Sequence, residues 1–339
     1  MERKISKVLI TGGAGFIGSH LVKEINSSRD WEVTVLDSLT YAGNMENLKD
    51  AEVKSFKLID IRDRNSLNNF FADSTFDAII HLAAESHVDR SIENPLEFVE
   101  TNVNGTVNLL EAARGQYKKN PNFVFYHVST DEVFGDIPLE KDYSFSEKTP
   151  YDPSSPYSAS KAASDHFVRA YHRTYGLPVV ISNCSNNYGT HQYPEKLIPV
   201  VIDKLRKGEK IPLYGSGANM RDWLHVRDHA SAIITILETG KLGETYCVGG
   251  NNVISNLELV KKICRIYDQS SKKKNSENNI IFVEDRKGHD LKYAIDATKM
   301  EIELEWKPSV RFELGLSETV KWYLDQKKET KNILQNETV

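Results

Sequence analysis

The sequence predicts an α/β protein: a doubly wound parallel sheet with a smaller C-terminal substrate-binding lobe. Three observations carry that expectation. Short apolar runs alternate with helix-length amphipathic segments through the first half of the chain, the pattern of parallel strands joined by helical crossovers. Glycines 12, 15 and 18 stand where the first apolar run gives way to the first helix, the place where such folds receive a phosphate. The chain has 339 residues, well beyond the commonest domain length, so two lobes sharing one interface are expected.

In chain order, Lys7 to Ile10 reads as a strand, followed by a tight loop and a helix whose apolar positions are Phe16, Ile17, Leu21, Val22 and Ile25. Glu32–Leu36 is a second strand closed by Asp37, Val53–Leu58 a third and Ala78–Leu82 a fourth. Phe98–Arg114 reads as one long helix, Phe123–Ser129 as a strand, Tyr157–Tyr175 as another long helix and Val179–Asn183 as a strand, bringing the sheet to six or seven strands near residue 185. Beyond that point turns, aromatics and short strands mix, and a second lobe over 188–325 is expected, with about 226–248 returning to the first lobe at 1–187. Val226–Thr239 and Ser255–Tyr267 read as helices, the second capped by Ser255. The polar run 270–279 is expected to be an exposed excursion and the tail 326–339 to fray.

Composition narrows the function classes. Apolar residues at 40% and charged residues at 27% are ordinary globular usage, which excludes collagen-like, disordered and coiled-coil chains. Forty-three basic against 48 acidic residues give a net charge of -5, no footprint for nucleic acid. Cys184, Cys247 and Cys264 have neither pairing nor metal-ligand spacing, so no metal site is expected and a reducing, cytoplasmic setting is. No apolar run approaches the roughly 18 residues of a membrane span.

The loop Thr11-Gly12-Gly13-Ala14-Gly15-Phe16-Ile17-Gly18 sits between strand and helix, making the fold Rossmann-like. Glycine there permits positive φ and close approach of the main chain to a pyrophosphate. Asp37, 19 residues after Gly18, can accept hydrogen bonds from an adenosine ribose, and no Arg or Lys follows in Ser38–Asn44 to hold a 2′-phosphate, so NAD is expected as cofactor rather than NADP. Asp60-Ile61 and Leu82-Ala83-Ala84, after the third and fourth strands, are next to line it. Tyr157 and Lys161, four apart at a helix start, share one face, and an ammonium beside a phenol favours its ionised form. Asp131-Glu132 follows the strand end Ser129-Thr130: either solvated loop residues or an acid and base whose environments separate their pKa values.

These motifs together resemble the extended short-chain dehydrogenase/reductases: TGGAGFIG at 11–18, Ser129-Thr130, and Tyr157-Ser158-Ala159-Ser160-Lys161. Leu82 to Ser91 (LAAESHVDRS), Ser129 to Val133, Asn186 to Gly189, Pro194 to Pro199 and Arg221-Asp222-Trp223 narrow the resemblance to members that dehydrate a nucleotide-linked glucose, over roughly residues 5–325. It implies dTDP-glucose as substrate. It also implies that Tyr157, held by Lys161, takes the O4 proton with Thr130 bonded to the same oxygen, that Glu132 removes the C5 proton, and that Asp131 protonates the departing C6 hydroxyl. NAD would take up the C4 hydride and return it to C6. Cofactor contacts would extend to Phe16, Ile17, Ser38, Leu39, Thr40, Glu85, Ser86, Thr101 and Asn187.

Substrate contacts implied by the resemblance are Ser86, Thr130 and Asn186 on the sugar, with Lys196, Leu197, Pro212, Leu213, Tyr214, Arg221, Asn256, Asp285, Arg286, Lys287, Gly288 and His289 toward the nucleotide. Arginine's planar fork suits a diphosphate, although Arg221 could instead be a surface residue paired with Asp222 or Asp228, and His289 a solvated loop side chain. Phe134, Thr190-His191 and Lys287 depart from the family's usual residues and leave the choice of base less determined. A homodimer through the two long helices is implied, unless their apolar residues face only the sheet. Two other readings stay open at this stage: another nucleotide-sugar enzyme, such as a UDP-sugar 4-epimerase or a UDP-glucuronate decarboxylase, and a non-catalytic NAD-binding regulator.

Overall fold

The computed structural model describes the backbone of residues 2–336 and the side chains of residues 2–326. Strands β1 (Lys7–Thr11), β2 (Glu32–Asp37), β3 (Ser55–Leu58), β4 (Ala78–His81), β5 (Val124–Thr130) and β6 (Val179–Cys184) lie in one sheet. Beyond them come β7 (Asn186–Tyr188), β8 (Ile211–Tyr214), β9 (Met220–His225), β10 (Thr245–Val248), β11 (Val253–Ser255) and β12 (Ile280–Val283). The main sheet has the order β10-β6-β5-β4-β1-β2-β3, parallel at every pairing. The direction of winding reverses between β1 and β4, so a crevice opens at their C-terminal ends.

Near-continuous apolar strands follow from burial on both faces. Val8 and Ile10 join one core layer with α1 (Phe16–Ser28), while Leu9 between them joins the other, which contains Leu67 and Phe71 of α2 (Arg64–Ala72). After β4 come α3 (Val88–Glu93), α4 (Pro95–Phe98) and α5 (Thr106–Lys119), then α6 (Pro156–Tyr175). The expected single helix over 98–114 is therefore broken: Val99–Gly105 is a π-helical stretch between α4 and α5. Its wider turn is a common mark of a functional segment, and its Thr101 faces the crevice.

The remaining helices are α7 (Leu197–Lys207), α8 (Val226–Thr239), α9 (Asn256–Ser271), α10 (Thr298–Leu304) and α11 (Phe312–Asn336). Six strands are in place by Cys184, and the seventh, β10, arrives only at 245–248, after α8 has packed with α1 against the first core layer. A second core joins α7, α9 and α11. Ser255 caps α9 by accepting from Glu258 N at 3.1 Å, as its position implied. Two expectations need correction. The 270–279 run is exposed at 270–275 and at Asn278, but Ser276 is buried, its N–H donating to Asp268 at 3.1 Å, and half-buried Glu277 pairs with Arg265 at 2.8 Å. The tail does not fray from Gln326, since α11 continues to Asn336; positions 337–339 of that expectation lie outside the described residues.

Candidate active site

The crevice between β1 and β4 is floored by the glycine loop. Gly12 takes φ +72°, and a Cβ there would stand 2.7 Å from Ala83 N, so only glycine lets the loop and the β4 exit touch. α1 begins at Gly15 with no side-chain cap, leaving its first N–H groups to the crevice, as a pyrophosphate would need. Asp37 braces the loop by accepting from Ala14 N at 2.9 Å and Leu39 N at 2.8 Å, and lines the crevice beside Ser38, Thr40, Asp60 and Ile61. Arg62, also on this rim, is engaged by Asp60 at 2.6 Å. The Leu39 side chain packs against the first core layer rather than into the crevice. A Cβ at Gly18 would collide with Gly12 O. Gly18→Ala should therefore lower stability by about 1–3 kcal/mol through overpacking and empty the purified protein of NAD; an unchanged melting temperature with full NAD content would contradict this role for the loop.

The opposite wall is built by β5 and α6. Ser155 and Ser158 form a reciprocal cap, Ser155 Oγ accepting from Ser158 N at 3.1 Å and Ser155 N donating to Ser158 Oγ at 3.0 Å, which sets Tyr157 in the first turn. Lys161, one turn on, donates to Val128 O at 2.9 Å. β5 ends in Thr130, whose Oγ accepts from Glu132 N at 3.3 Å and donates to Asp131 Oδ1 at the same distance, opening the turn that carries both carboxyls. Thr130, Asp131, Glu132, Tyr157 and Lys161 all line the crevice with Gly12, Gly15, Phe16, Ile17, Gly18, Leu82, Ala83, Ala84, Glu85 and Ser86. Sequence reasoning missed Asn102, which donates to Ser160 Oγ at 2.8 Å and Glu85 O at 2.9 Å and so joins the β4 exit to α6. The unbroken helix expected over that stretch hid it.

Burial, then the neighbouring Glu132 and Asp222, push the Asp131 carboxyl well above the usual carboxylate range and favour its protonated form. Burial also raises Glu132, against Lys196 and Arg221, which favour its anion. The Tyr157 phenol is raised by burial and by Glu132, and the Lys161 ammonium is lowered by burial, with Asp165 opposing. Two carboxyls in unequal fields suit an acid and a base. Because the folded pKa of Asp131 exceeds its unfolded value, the stability it contributes is present below that unfolded value and is lost as pH rises toward the folded one. Asp131→Asn has no such loss. Its melting temperature should exceed the native protein's by about 2 °C or more at pH 7 and converge with it near pH 4; a difference that is flat with pH would contradict the assignment.

The candidate substrate residues divide into two sets. Ser86, Asn186 and Lys196 lie on the crevice, with Lys196 donating to Ser86 O at 2.8 Å; the expected cofactor contact Asn187 lies there too, its Oδ1 meeting His229 Nδ1 at 2.9 Å. Gln192, Tyr193 and Glu195 join them and were not foreseen, although they sit in the aromatic and charged loop before α7. Leu197, Pro212, Leu213, Tyr214, Arg221, Asn256, Asp285, Arg286, Lys287, Gly288 and His289 do not line it. Leu197 packs on the second core, Pro212 and Tyr214 are the exposed residues of β8, and Asn256 opens α9 with a buried Oδ1 that has no hydrogen-bond partner among the described residues. Arg221 is not the surface ion pair that was an open reading: it is buried, donates to Asp290 O at 2.9 Å and lies over the Tyr293 ring, while Asp222 accepts from Gly250 N and Asn252 N. His289 is not simply solvated, since it pairs with Asp285 at 2.6 Å. Arg286 forms an ion pair with Asp89 of α3, Nη2 donating to Oδ2 at 2.8 Å with Nε 2.6 Å from Oδ1; Lys287 and Gly288 beside it are exposed.

A model of the GDP-mannose 4,6 dehydratase family matches residues 9–319. The chain is 51% identical over 334 residues to a dTDP-glucose 4,6-dehydratase of Escherichia coli, covering 94% of this chain and 92% of that protein. It is 50% identical over 342 residues to the enzyme of the same name from Neisseria meningitidis, covering 97% and 96%. Among solved structures it is similar to the Streptomyces venezuelae dTDP-glucose 4,6-dehydratase DesIV with NAD bound, with a TM-score of 0.87, 46% identity and coverage of 95% and 98% of the two chains. A UDP-glucose 4-epimerase from Thermotoga maritima shares the architecture at a TM-score of 0.84 but only 27% identity, over 94% and 99%.

Proposed function

The chain belongs to the GDP-mannose 4,6-dehydratase family, and on that premise we propose that its crevice converts dTDP-glucose to dTDP-4-keto-6-deoxyglucose and water. It is an NAD-dependent hydro-lyase of deoxysugar formation. The observation that carries this reading is the Asp131-Glu132 pair on the turn after Thr130, Asp131 buried and Glu132 half-buried, on the same crevice as Tyr157 and Lys161. An enzyme that only oxidises and re-reduces C4 has no use for two more carboxyls there, whereas loss of water across C5 and C6 needs a base and an acid.

The chain's own groups have these tasks. Tyr157 receives the O4 proton, and Thr130 donates a hydrogen bond to the same oxygen. Bound NAD supplies the hydride acceptor for C4 and the donor for C6. Once C4 is a ketone its neighbour C5–H is acidic, and Glu132, whose anion Lys196 and Arg221 favour, removes that proton. Asp131, whose protonated form its surroundings favour, delivers a proton to the C6 hydroxyl as it leaves. The Glu132 carboxyl exchanges that proton with solvent before it reprotonates C5. The glycine loop, the open start of α1 and Asp37 fit a dinucleotide; Lys196 and, across the Asp89 contact, Arg286 are the cations we assign to the diphosphate.

The lobes divide this labour, residues 1–187 with about 226–248 for NAD and 188–325 mainly for the nucleotide sugar. Exposed Val99, Phe167 and Tyr175 on the segments expected to pair, with Ile92 and Leu96 just before the first of them, support a homodimer. Among the described residues no helix is long and apolar enough to cross a membrane. The three cysteines are unpaired and buried, consistent with a cytoplasmic enzyme. Incubation with dTDP-glucose, followed by alkali to develop the 4-keto chromophore and by mass spectrometry, tests the reading, with UDP-glucose run in parallel. A product lighter by one water, formed faster from the dTDP sugar, is expected. An unchanged mass with C4 inverted would make the protein an epimerase.

A further inference from the structure

Tyr157, Lys161 and Asp165 stand at i, i+4 and i+8 on α6, on the face laid against β5. The first two belong to the reaction; the third is wholly buried and has no part in it so far. Its Oδ2 accepts from Ser129 Oγ at 2.9 Å, Tyr151 Oη at 2.8 Å and Asn183 Nδ2 at 3.3 Å, and its Oδ1 stands 3.1 Å from His127 Nε2. Ser129 is the residue before Thr130, and Asn183 Nδ2 also donates to Thr130 O at 3.0 Å. One carboxylate thus ties the last residues of β5, the end of β6 and the helix of Tyr157 to a single point.

We propose that Asp165 is a positioning residue for the reaction, fixing the β5 terminus that carries Thr130, Asp131 and Glu132 against the α6 face that carries Tyr157 and Lys161. A buried carboxylate is costly unless partnered; Oδ2 has three donors, drawn from both strands and the loop before the helix, while Oδ1 faces the His127 ring without hydrogen-bond geometry. The inference rests on the dehydratase reading of the site. A second consequence is electrostatic. His127 of β5 with His81 of β4 behind it, Lys161 and Arg169 of α6, Tyr151 of the preceding loop and Cys184 of β6 surround this carboxylate and Lys161; Glu132 and Asp131 face Tyr157. Burial pushes Asp165 up, but His127 beside it and the charges of Lys161 and Arg169 bring it below the usual carboxylate range. As an anion it opposes the loss of the Lys161 proton that burial promotes.

The test is Asp165→Asn in the purified, NAD-loaded enzyme, with kcat, KM for dTDP-glucose, NAD content and the pH profile of kcat measured beside the native protein. We expect kcat to fall about tenfold or more while KM stays within about twofold, because the reacting groups lose alignment and the binding surface does not. The acid limb of the profile should move to higher pH, since Lys161 without its counter-charge leaves the phenol harder to ionise. Native kcat and an unmoved limb in a less stable protein would assign Asp165 to the fold alone and overturn the proposal. Should that variant not fold, Tyr151→Phe removes one donor and keeps the charge: lower kcat at constant KM supports the proposal, and native kcat overturns it. A native protein that forms no water-loss product would remove the underlying reading, and the inference with it.

Discussion

Replacing Glu132 with glutamine should slow formation of the water-loss product by about a hundredfold to ten-thousandfold, the range that a positioned proton-transfer group contributes. Glutamine keeps the size of the side chain and its place on the turn after Thr130, so nucleotide-sugar binding should persist with KM changed little. What it cannot do is take a proton from C5. The sharper readout starts from the 4-keto product itself, incubated in heavy water. The native enzyme should exchange the hydrogen at C5, while Glu132→Gln should not. Exchange at the native rate in the variant would show that another group is the base and would dissolve the assignment of the pair.

Tyr157→Phe should produce a loss of similar size, about a hundredfold to ten-thousandfold, but at a different step. The phenol sits in the first turn of α6, and without its hydroxyl the group assigned to receive the O4 proton is gone. Removing a buried hydroxyl whose ionisation the site already resists should leave stability near the native value. The contrast with Glu132→Gln is diagnostic: given the 4-keto product in heavy water, Tyr157→Phe should still exchange C5, because that step needs only the ketone and Glu132. If Tyr157→Phe failed to exchange C5, the two residues would not act at separate steps.

Much of this site was legible before the fold was known, and the reasons are local. The glycine loop, Asp37 and the Tyr157–Lys161 pair each depend on spacing within one strand-turn-helix unit, where chain geometry is short and stereotyped. Asp131 and Glu132 were visible because they follow a strand end directly. The parts that escaped depend on contacts between distant segments. Asn102 acts through a π-helical turn that no apolar period reveals, since its wider turn shifts the face by one residue. Asp165 looked like any polar helix residue until Ser129, Tyr151, Asn183 and His127 were brought around it. The pairing of Arg286 with Asp89 joins residues 197 apart along the chain, so nothing local in the sequence announces it. The tenth strand could not be assigned to the main sheet from sequence because four short residues carry too little pattern.

The central claim is that one crevice oxidises, dehydrates and re-reduces the same sugar. The most direct measurement is the mass and proton spectrum of the product formed from dTDP-glucose in heavy water by the native protein with its bound NAD. The predicted product has lost one water, carries a methyl group at C6 and a ketone at C4, and has taken one deuterium from solvent at C5. A sugar of unchanged composition, inverted at C4 and free of deuterium at C5, would contradict it.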